Sequence, residues 1–233
     1  MKQNCNLYFL AADTVRTKVY LYYLIKNKVF PKKIFFLKSE GNFLPGVNKK
    51  KIKFKNENLF DFNNKKYTLK GISEFINSKN FYKNLEKLFD VNYLYSKNIN
   101  SKKVINKITK IKNSLIIFSG FGGSIVGKKL IKTSNLFLHC HGGYLPHFKG
   151  STTNYYSALK DKSIGASTIY LNQKIDQGPI LYRMKFKKPK YLEQLDTIVD
   201  AAARSIVLIK TLKKINNKKK IKLYKNKSKE KNY

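Results

Sequence analysis

An α/β fold, with an open, mainly parallel twisted sheet covered by helices on both faces, follows from three features of the sequence. Short apolar runs alternate with stretches whose apolar residues recur at helical spacing, the pattern of a parallel sheet. The run Leu115–Ser119 (LIIFS) is apolar almost throughout, as a central strand buried on both faces is. A stretch from about Leu192 to Leu212 carries Leu195, Ile198, Val199, Ala202, Ile206 and Ile209 at helical spacing, which suits a helix packed on the sheet.

The elements follow in order. Leu7 to Ala11 reads as the first strand, and Asp13 or Thr14 can cap a helix running to about Lys28. Pro31 breaks that pattern, and Ile34 to Leu37 form a second buried run. From Ser39 to Lys70, Lys and Asn interrupt every apolar run, so loops and short strands are expected. Phe81 to Phe89 reads as a helix, Val91 to Tyr95 as a strand and Ser101 to Lys112 as a helix. After LIIFS come the turn Gly120-Phe121-Gly122-Gly123, a helix from Ser124 to about Lys132 and a strand at Leu136 to His141. A glycine and proline loop leads to a helix near Thr153 to Leu159, then to strands near Ala166 to Leu171 and Ile180 to Phe186. Residues 1–212 thus form one domain, and the lysine-rich 213–233 read as a disordered tail dispensable for chemistry.

A length of 233 residues suits a single domain, and 42% hydrophobic with 14% aromatic residues places the chain among folded proteins. The 49 Lys and Arg against 13 Asp and Glu give a formal net charge of +36, a field that draws phosphates, nucleotides or nucleic acid. The lysines are spread through the chain beside abundant Asn, Ile, Phe and Tyr, so a general codon bias accounts for them and a nucleic-acid partner is not favoured. Two cysteines, Cys5 and Cys140, imply no disulfide framework and fit a reducing cytosol, so a cytoplasmic location is expected. No apolar run approaches the roughly 20 residues that cross a bilayer.

All three histidines, His139, His141 and His147, fall in one short stretch. On a strand His139 and His141 point to one face, where a metal could use both. Cys140 faces away and the spacing matches no closed ligand set, so no metal is expected. The glycines at 120, 122 and 123 lack the full dinucleotide fingerprint, since position 125 is Ile; they read as a tight turn, with room for a cofactor edge to pass the backbone.

Residues 136–181 carry a more specific pattern: His141 followed by Gly142-Gly143-Tyr144-Leu145-Pro146-His147-Phe148-Lys149-Gly150, then Gly165-Ala166-Ser167, then Ile175-Asp176-Gln177-Gly178-Pro179-Ile180. In order and spacing this resembles the folate-dependent formyltransferases that act on methionyl-tRNA, glycinamide ribonucleotide or nucleotide-linked amino sugars. Their signature is a strand ending in Asn-x-His, then Leu-Pro, then Arg-Gly or its equivalent, and later Asp-x-Gly-Pro-Ile. The resemblance spans about residues 115–186 and implies a Rossmann-like catalytic domain with N10-formyltetrahydrofolate as donor.

The resemblance implies further that His141 donates to the formyl oxygen as charge develops there, and that Asp176 orients the imidazole, favours its charged form and relays a proton. Phe121, Gly122, Gly123, Gly142 and Leu145 are implied on the folate side, with Gly142 and Gly143 letting ligand approach the backbone. Lys149 and Gly150 are implied on the acceptor side, the lysine matching the arginine of the tRNA and sugar branches. The family's asparagine is His139 here, which is expected to take over the donor role toward the same oxygen. The tRNA enzymes carry a β-barrel domain after the catalytic one, so a small amine, foremost a nucleotide-linked amino sugar, is the expected acceptor.

Overall fold

The computed structural model describes residues 6–38, 54, 55, 57–217 and 221–227. Among them are the strands β1 (Leu7–Ala12), β2 (Lys33–Lys38), β3 (Asn58–Phe60), β4 (Lys66–Thr68), β5 (Val91–Tyr95), β6 (Leu115–Ser119), β7 (Leu136–His141), β8 (Ser163–Tyr170) and β9 (Ile180–Lys187). The α-helices are α1 (Val15–Lys26), α2 (Ile72–Ile76), α3 (Phe81–Leu88), α4 (Lys102–Ile108), α5 (Lys128–Ile131), α6 (Thr153–Lys160) and α7 (Asp200–Asn216).

Seven strands form one sheet in the order β5-β2-β1-β6-β7-β8-β9, with β3 and β4 as a separate hairpin. The pairings from β5 to β7 are parallel, and β8 and β9 join antiparallel. LIIFS pairs on both sides and is buried along its whole length, as its composition predicts. One apolar layer joins α1 and α7 to the face bearing Phe9, Ile117, Leu138 and Cys140. The other joins Val104, Ile108 and Leu130 of α4 and α5 to the face bearing Leu10, Ile116, Phe118 and Phe137.

Local chemistry sets the element ends. Thr14 caps α1 by accepting from the Thr17 amide at 3.2 Å, and Ser101 caps α4 by accepting from the Val104 amide at 3.4 Å. The helix expected from Ser124 starts only at Lys128. Asn100 holds the preceding segment, donating from Nδ2 to the Ile125 carbonyl at 2.9 Å and accepting the Gly127 amide on Oδ1 at 2.7 Å, so these groups are unavailable to a helical ladder.

The single helix expected from Leu192 is a 3-10 turn (Leu192–Gln194), a π-helical turn (Leu195–Val199) and α7, still burying Leu195, Ile198 and Val199. The short helix α2 and the β3–β4 hairpin were not individually expected, and the rest of the ambiguous stretch at 39–53 and 56 lies outside the described residues.

The boundary placed at residue 212 also moves. Helix α7 continues to Asn216 because Thr211 and Leu212 are still buried. Beyond it, residues 221–227 return to the sheet, where Tyr224 bridges Ile180 of β9.

Candidate active site

The loops leaving β6 and β7, with the segment between β8 and β9, surround the carboxyl end of β7. That strand delivers His139 and His141 on the face of Phe137, opposite Leu138 and Cys140. His139 lies beside the Phe118 ring, and its Nδ1 is 3.4 Å from the Phe118 carbonyl. A carbonyl only accepts, so Nδ1 carries the proton and Nε2 keeps its lone pair. In that tautomer the one N–H of neutral His139 is turned to the Phe118 carbonyl.

His141 is buried, 4% exposed, with both ring nitrogens engaged. Nδ1 meets Asp176 Oδ2 at 3.3 Å, and Nε2 donates to the Phe148 carbonyl at 2.7 Å. With Nε2–H committed to an oxygen that cannot donate, the Nδ1···Oδ2 contact requires a proton of its own on ring or carboxyl. A formyl oxygen takes the Nε2–H only by displacing or sharing the Phe148 carbonyl.

His139 and Asp176 line a cavity of about 80 Å³ with Phe118, Ser124 and Val126 on one side and Leu171 and Asn172 on the other. Ile125 and Ile175 also line it, and their side chains stand 55% and 62% exposed.

Hydrogen bonds brace the loop after β7. Thr153 donates to the Gly142 carbonyl, Ser167 Oγ donates to the Gly143 carbonyl at 2.7 Å and accepts the Leu145 amide at 3.0 Å, and Arg183 donates to the Leu145 carbonyl. Behind it, Arg204 Nε donates to Asp200 Oδ2 at 2.6 Å and Nη1 to the Cys140 carbonyl at 3.2 Å. Asn154 donates to Asp200 Oδ1 at 2.7 Å. The Asp200–Arg204 pair carries the i, i+4 signal of a helical ion pair, which could have marked it in the sequence; no such signal marks Asn154.

A second guanidinium, Arg16 at the start of α1, is anchored on Ser119 Oγ at 3.3 Å and on the Gly120 carbonyl. Among the described residues no carboxylate lies within ion-pairing distance of it. Burial and the neighbouring Arg204 charge both lower its pKa.

The other residues singled out in the sequence divide between the cavity and its supports. Phe121, half-buried against the Phe118 cluster, and Gly122 and Gly123 share the cavity's first loop. Nothing lies within 4 Å of where side chains at the two glycines would project. Gly142 is not open to ligand: a Cβ there would meet the Asp200 carboxylate and the Arg204 guanidinium. A Cβ at Gly143 would fall 2.6 Å from the Phe148 carbonyl and 2.7 Å from His141 Nε2. Leu145 packs fully buried on Ile169 and Ile180, so it supports the site from behind. Lys149 is 7% exposed and donates to the Asn226 carbonyl at 3.3 Å, next to Gly150 at φ 102°.

Burial lowers His139 well below the ordinary histidine value, and the charges of Arg204 and Arg16 act in the same direction. Burial also lowers His141, while Asp176 pulls toward the charged form, as expected of its carboxylate, without offsetting the desolvation. Groups with depressed folded-state pKa contribute stability that is full above about pH 6.5 and is lost as pH falls from there toward the folded values, by up to about 1.4 kcal/mol per pH unit for each histidine. Thermal unfolding between pH 7.5 and 5.5 is therefore expected to show a falling midpoint in the parent and a shallower fall in His139→Asn. Equal slopes would refute the assignment for His139.

Among the described residues no three His, Cys, Asp or Glu side chains converge as a metal-ligand set, and no helix is long and apolar enough to cross a membrane.

Residues 48–204 match the family described as formyl transferase, a span covering more than half of the sequence. The chain belongs to the formyl transferase family. It is 30% identical over 98 residues to a methionyl-tRNA formyltransferase of Finegoldia magna, covering 42% of this chain and 32% of that protein. It is 33% identical over 105 residues to the bifunctional polymyxin resistance protein ArnA of Wigglesworthia glossinidia brevipalpis, covering 44% of this chain and 15% of the other. The matches thus span a third or less of these relatives' own lengths.

Among solved structures, an N-formyltransferase of Helicobacter canadensis in complex with folinic acid and dTDP-3-aminofucose superposes with TM-score 0.57 at 14% identity, over 98% of this chain and 70% of that one. A phosphoribosylglycinamide formyltransferase of Anaplasma phagocytophilum gives 0.56 at 14% identity, over 97% and 96%. This family member therefore carries the Rossmann-like formyltransferase fold, with an antiparallel hairpin added to a parallel sheet.

Proposed function

We propose that the chain transfers a formyl group from N10-formyltetrahydrofolate to a primary amine, and that the amine is carried by a nucleotide-linked amino sugar. The observation that carries this reading is the pairing of buried His141 with Asp176 beside a cavity that His139 and Asp176 line. The walls of that cavity suit a flat heteroaromatic ring: Phe118, Val126 and Leu171 give apolar contact, Ser124 and Asn172 give polar partners, and the exposed Ile125 and Ile175 extend the apolar surface outward. Phe121, Gly122 and Gly123 precede the lining residue Ser124 in the same loop.

In the reaction the amine nitrogen bonds to the formyl carbon, negative charge gathers on the formyl oxygen, and the bond to the folate nitrogen breaks as that nitrogen takes a proton. His141 supplies its Nε2–H to the oxygen, held in orientation by Asp176. His139, with Nε2 unprotonated, takes the proton that the attacking amine sheds. Arg16 favours an acceptor bearing phosphate, because its guanidinium is bound to neutral oxygens and keeps its charge for a ligand. The buried thiol of Cys140 accords with a cytosolic setting.

Formyl transfer from the folate donor to a panel of amino-sugar nucleotides, glycinamide ribonucleotide and charged initiator tRNA, read by mass spectrometry, tests the proposal. A formylated nucleotide sugar is the expected product. Formylation of either other acceptor alone would retain the chemistry and overturn the sugar.

The role of His139 has its own test. His139→Asn is expected to stay active but to lose the acid limb of the rate profile that, in the parent, lies below the ordinary histidine value. His139→Ala should lose about tenfold or more. An unchanged acid limb in the asparagine variant would remove His139 from the proton path.

A further inference from the structure

We propose that residues 221–227 act as a strap that sets the His141–Asp176 geometry, with Asn226 as its positioning residue. This rests on the formyl-transfer reading of the site. The segment is fixed to β9 by two backbone bonds, Tyr224 N to the Ile180 carbonyl at 2.9 Å and Ile180 N to the Tyr224 carbonyl at 3.0 Å. Two residues on, Asn226 is 6% exposed, unlike the lysines around it in the sequence.

Its amide group spans the turn that bears Asp176: Nδ2 donates to the Asp176 carbonyl at 2.6 Å and to the Gly178 carbonyl at 3.0 Å. That turn needs an outside hold. Asp176 has φ of 49°, a left-handed conformation that costs a residue with a Cβ about 1–2 kcal/mol and persists where its surroundings impose it. The Asn226 bonds fall on the carbonyls of Asp176 itself and of the glycine two residues later.

The carbonyl of Asn226 meanwhile accepts from the buried ammonium of Lys149 at 3.3 Å. Lys149 follows Phe148, whose carbonyl holds His141 Nε2. One residue thus links the loop that fixes His141 from one side to the turn that presents Asp176 from the other. A shift of either loop alters the Nδ1···Oδ2 separation, and misplacing a catalytic group by about 1 Å can cost a hundredfold in rate. Lys149 acts here as part of the clasp, and the low-complexity tail contributes to the site from outside the matched family region.

The test uses the full chain with Asn226→Leu, similar in volume but without donors, and Asn226→Gln, which keeps the amide. Asn226→Ser replaces the leucine variant if that one does not fold. Asn226→Leu should lower kcat by about tenfold while the KM for the formyl donor stays within about twofold, and should displace the His141 imidazole titration followed by NMR. Asn226→Gln should recover part of both. Parent-like kcat and a parent-like His141 titration in Asn226→Leu would overturn the strap. If the parent formylates none of the acceptors, the functional reading fails on its own; the imidazole titration still decides the strap, displaced in its favour and unchanged against it.

Discussion

His141→Ala and Asp176→Asn are each expected to lower formyl transfer by about a hundredfold or more while the fold is retained. The alanine removes a donor at the carboxyl end of β7 that already points an N–H at an oxygen, the Phe148 carbonyl. The asparagine keeps the volume of Asp176 but replaces the carboxylate that faces Nδ1 at 3.3 Å, so the ring loses the partner that fixes its orientation and shares its proton. Both sites lie in loops or at a strand end, and the two apolar layers of the sheet do not include them. Steady-state kinetics with the formylated product quantified, alongside circular dichroism, checks this. Near-normal turnover in either variant, with the fold intact, would mean that the charge on the formyl oxygen is met elsewhere.

Gly142→Ala should be strongly destabilising. The added Cβ would lie within the contact distance of both the Asp200 carboxylate and the Arg204 guanidinium, a pair whose side chains are each 16% exposed. Burial opposes the charge of Arg204, and Asp200 together with Tyr20 and Cys140 more than restores it, so the arginine is held charged. Forcing this pair apart costs about 3–5 kcal/mol, and overpacking alone about 1–3 kcal/mol. Loss of soluble protein or a much lower unfolding midpoint is expected, whereas Gly122→Ala, with nothing within 4 Å of the new methyl, should leave stability almost unchanged. Comparable midpoints for the two variants would show that the Gly142 backbone yields.

The sheet was legible because its strands are written in runs such as LIIFS and LFLHCH, where burial on both faces leaves little room for polar residues. The His141–Asp176 pair was legible only through the ordered motifs around it, since nothing in spacing tells that residues 35 positions apart come within 3.3 Å. Gly142 was misread because a glycine shows that space is short without showing what fills it. The answer lay on α7, in Asp200 and Arg204. His139 was read as a donor because it stands where the family has asparagine; that the Phe118 carbonyl of the neighbouring strand faces its Nδ1 has no sequence signature. Asn226 was invisible, since one asparagine among lysines has no periodicity and its partners are backbone carbonyls, which carry no sequence signature.

The last strand of the sheet bears on how copies of the molecule behave toward one another. A terminal strand offers unpaired amides and carbonyls as a template for another chain, the usual seed of edge-to-edge aggregation. On β9 that template is shortened from both directions: Tyr224 occupies it at Ile180 and Asp61 at Phe186. What remains between them carries Arg183, which donates to the Leu145 carbonyl, and Lys185, which pairs with Asp161 at 3.3 Å. This side of the sheet thus offers a neighbour a template shortened by bridges at its two ends.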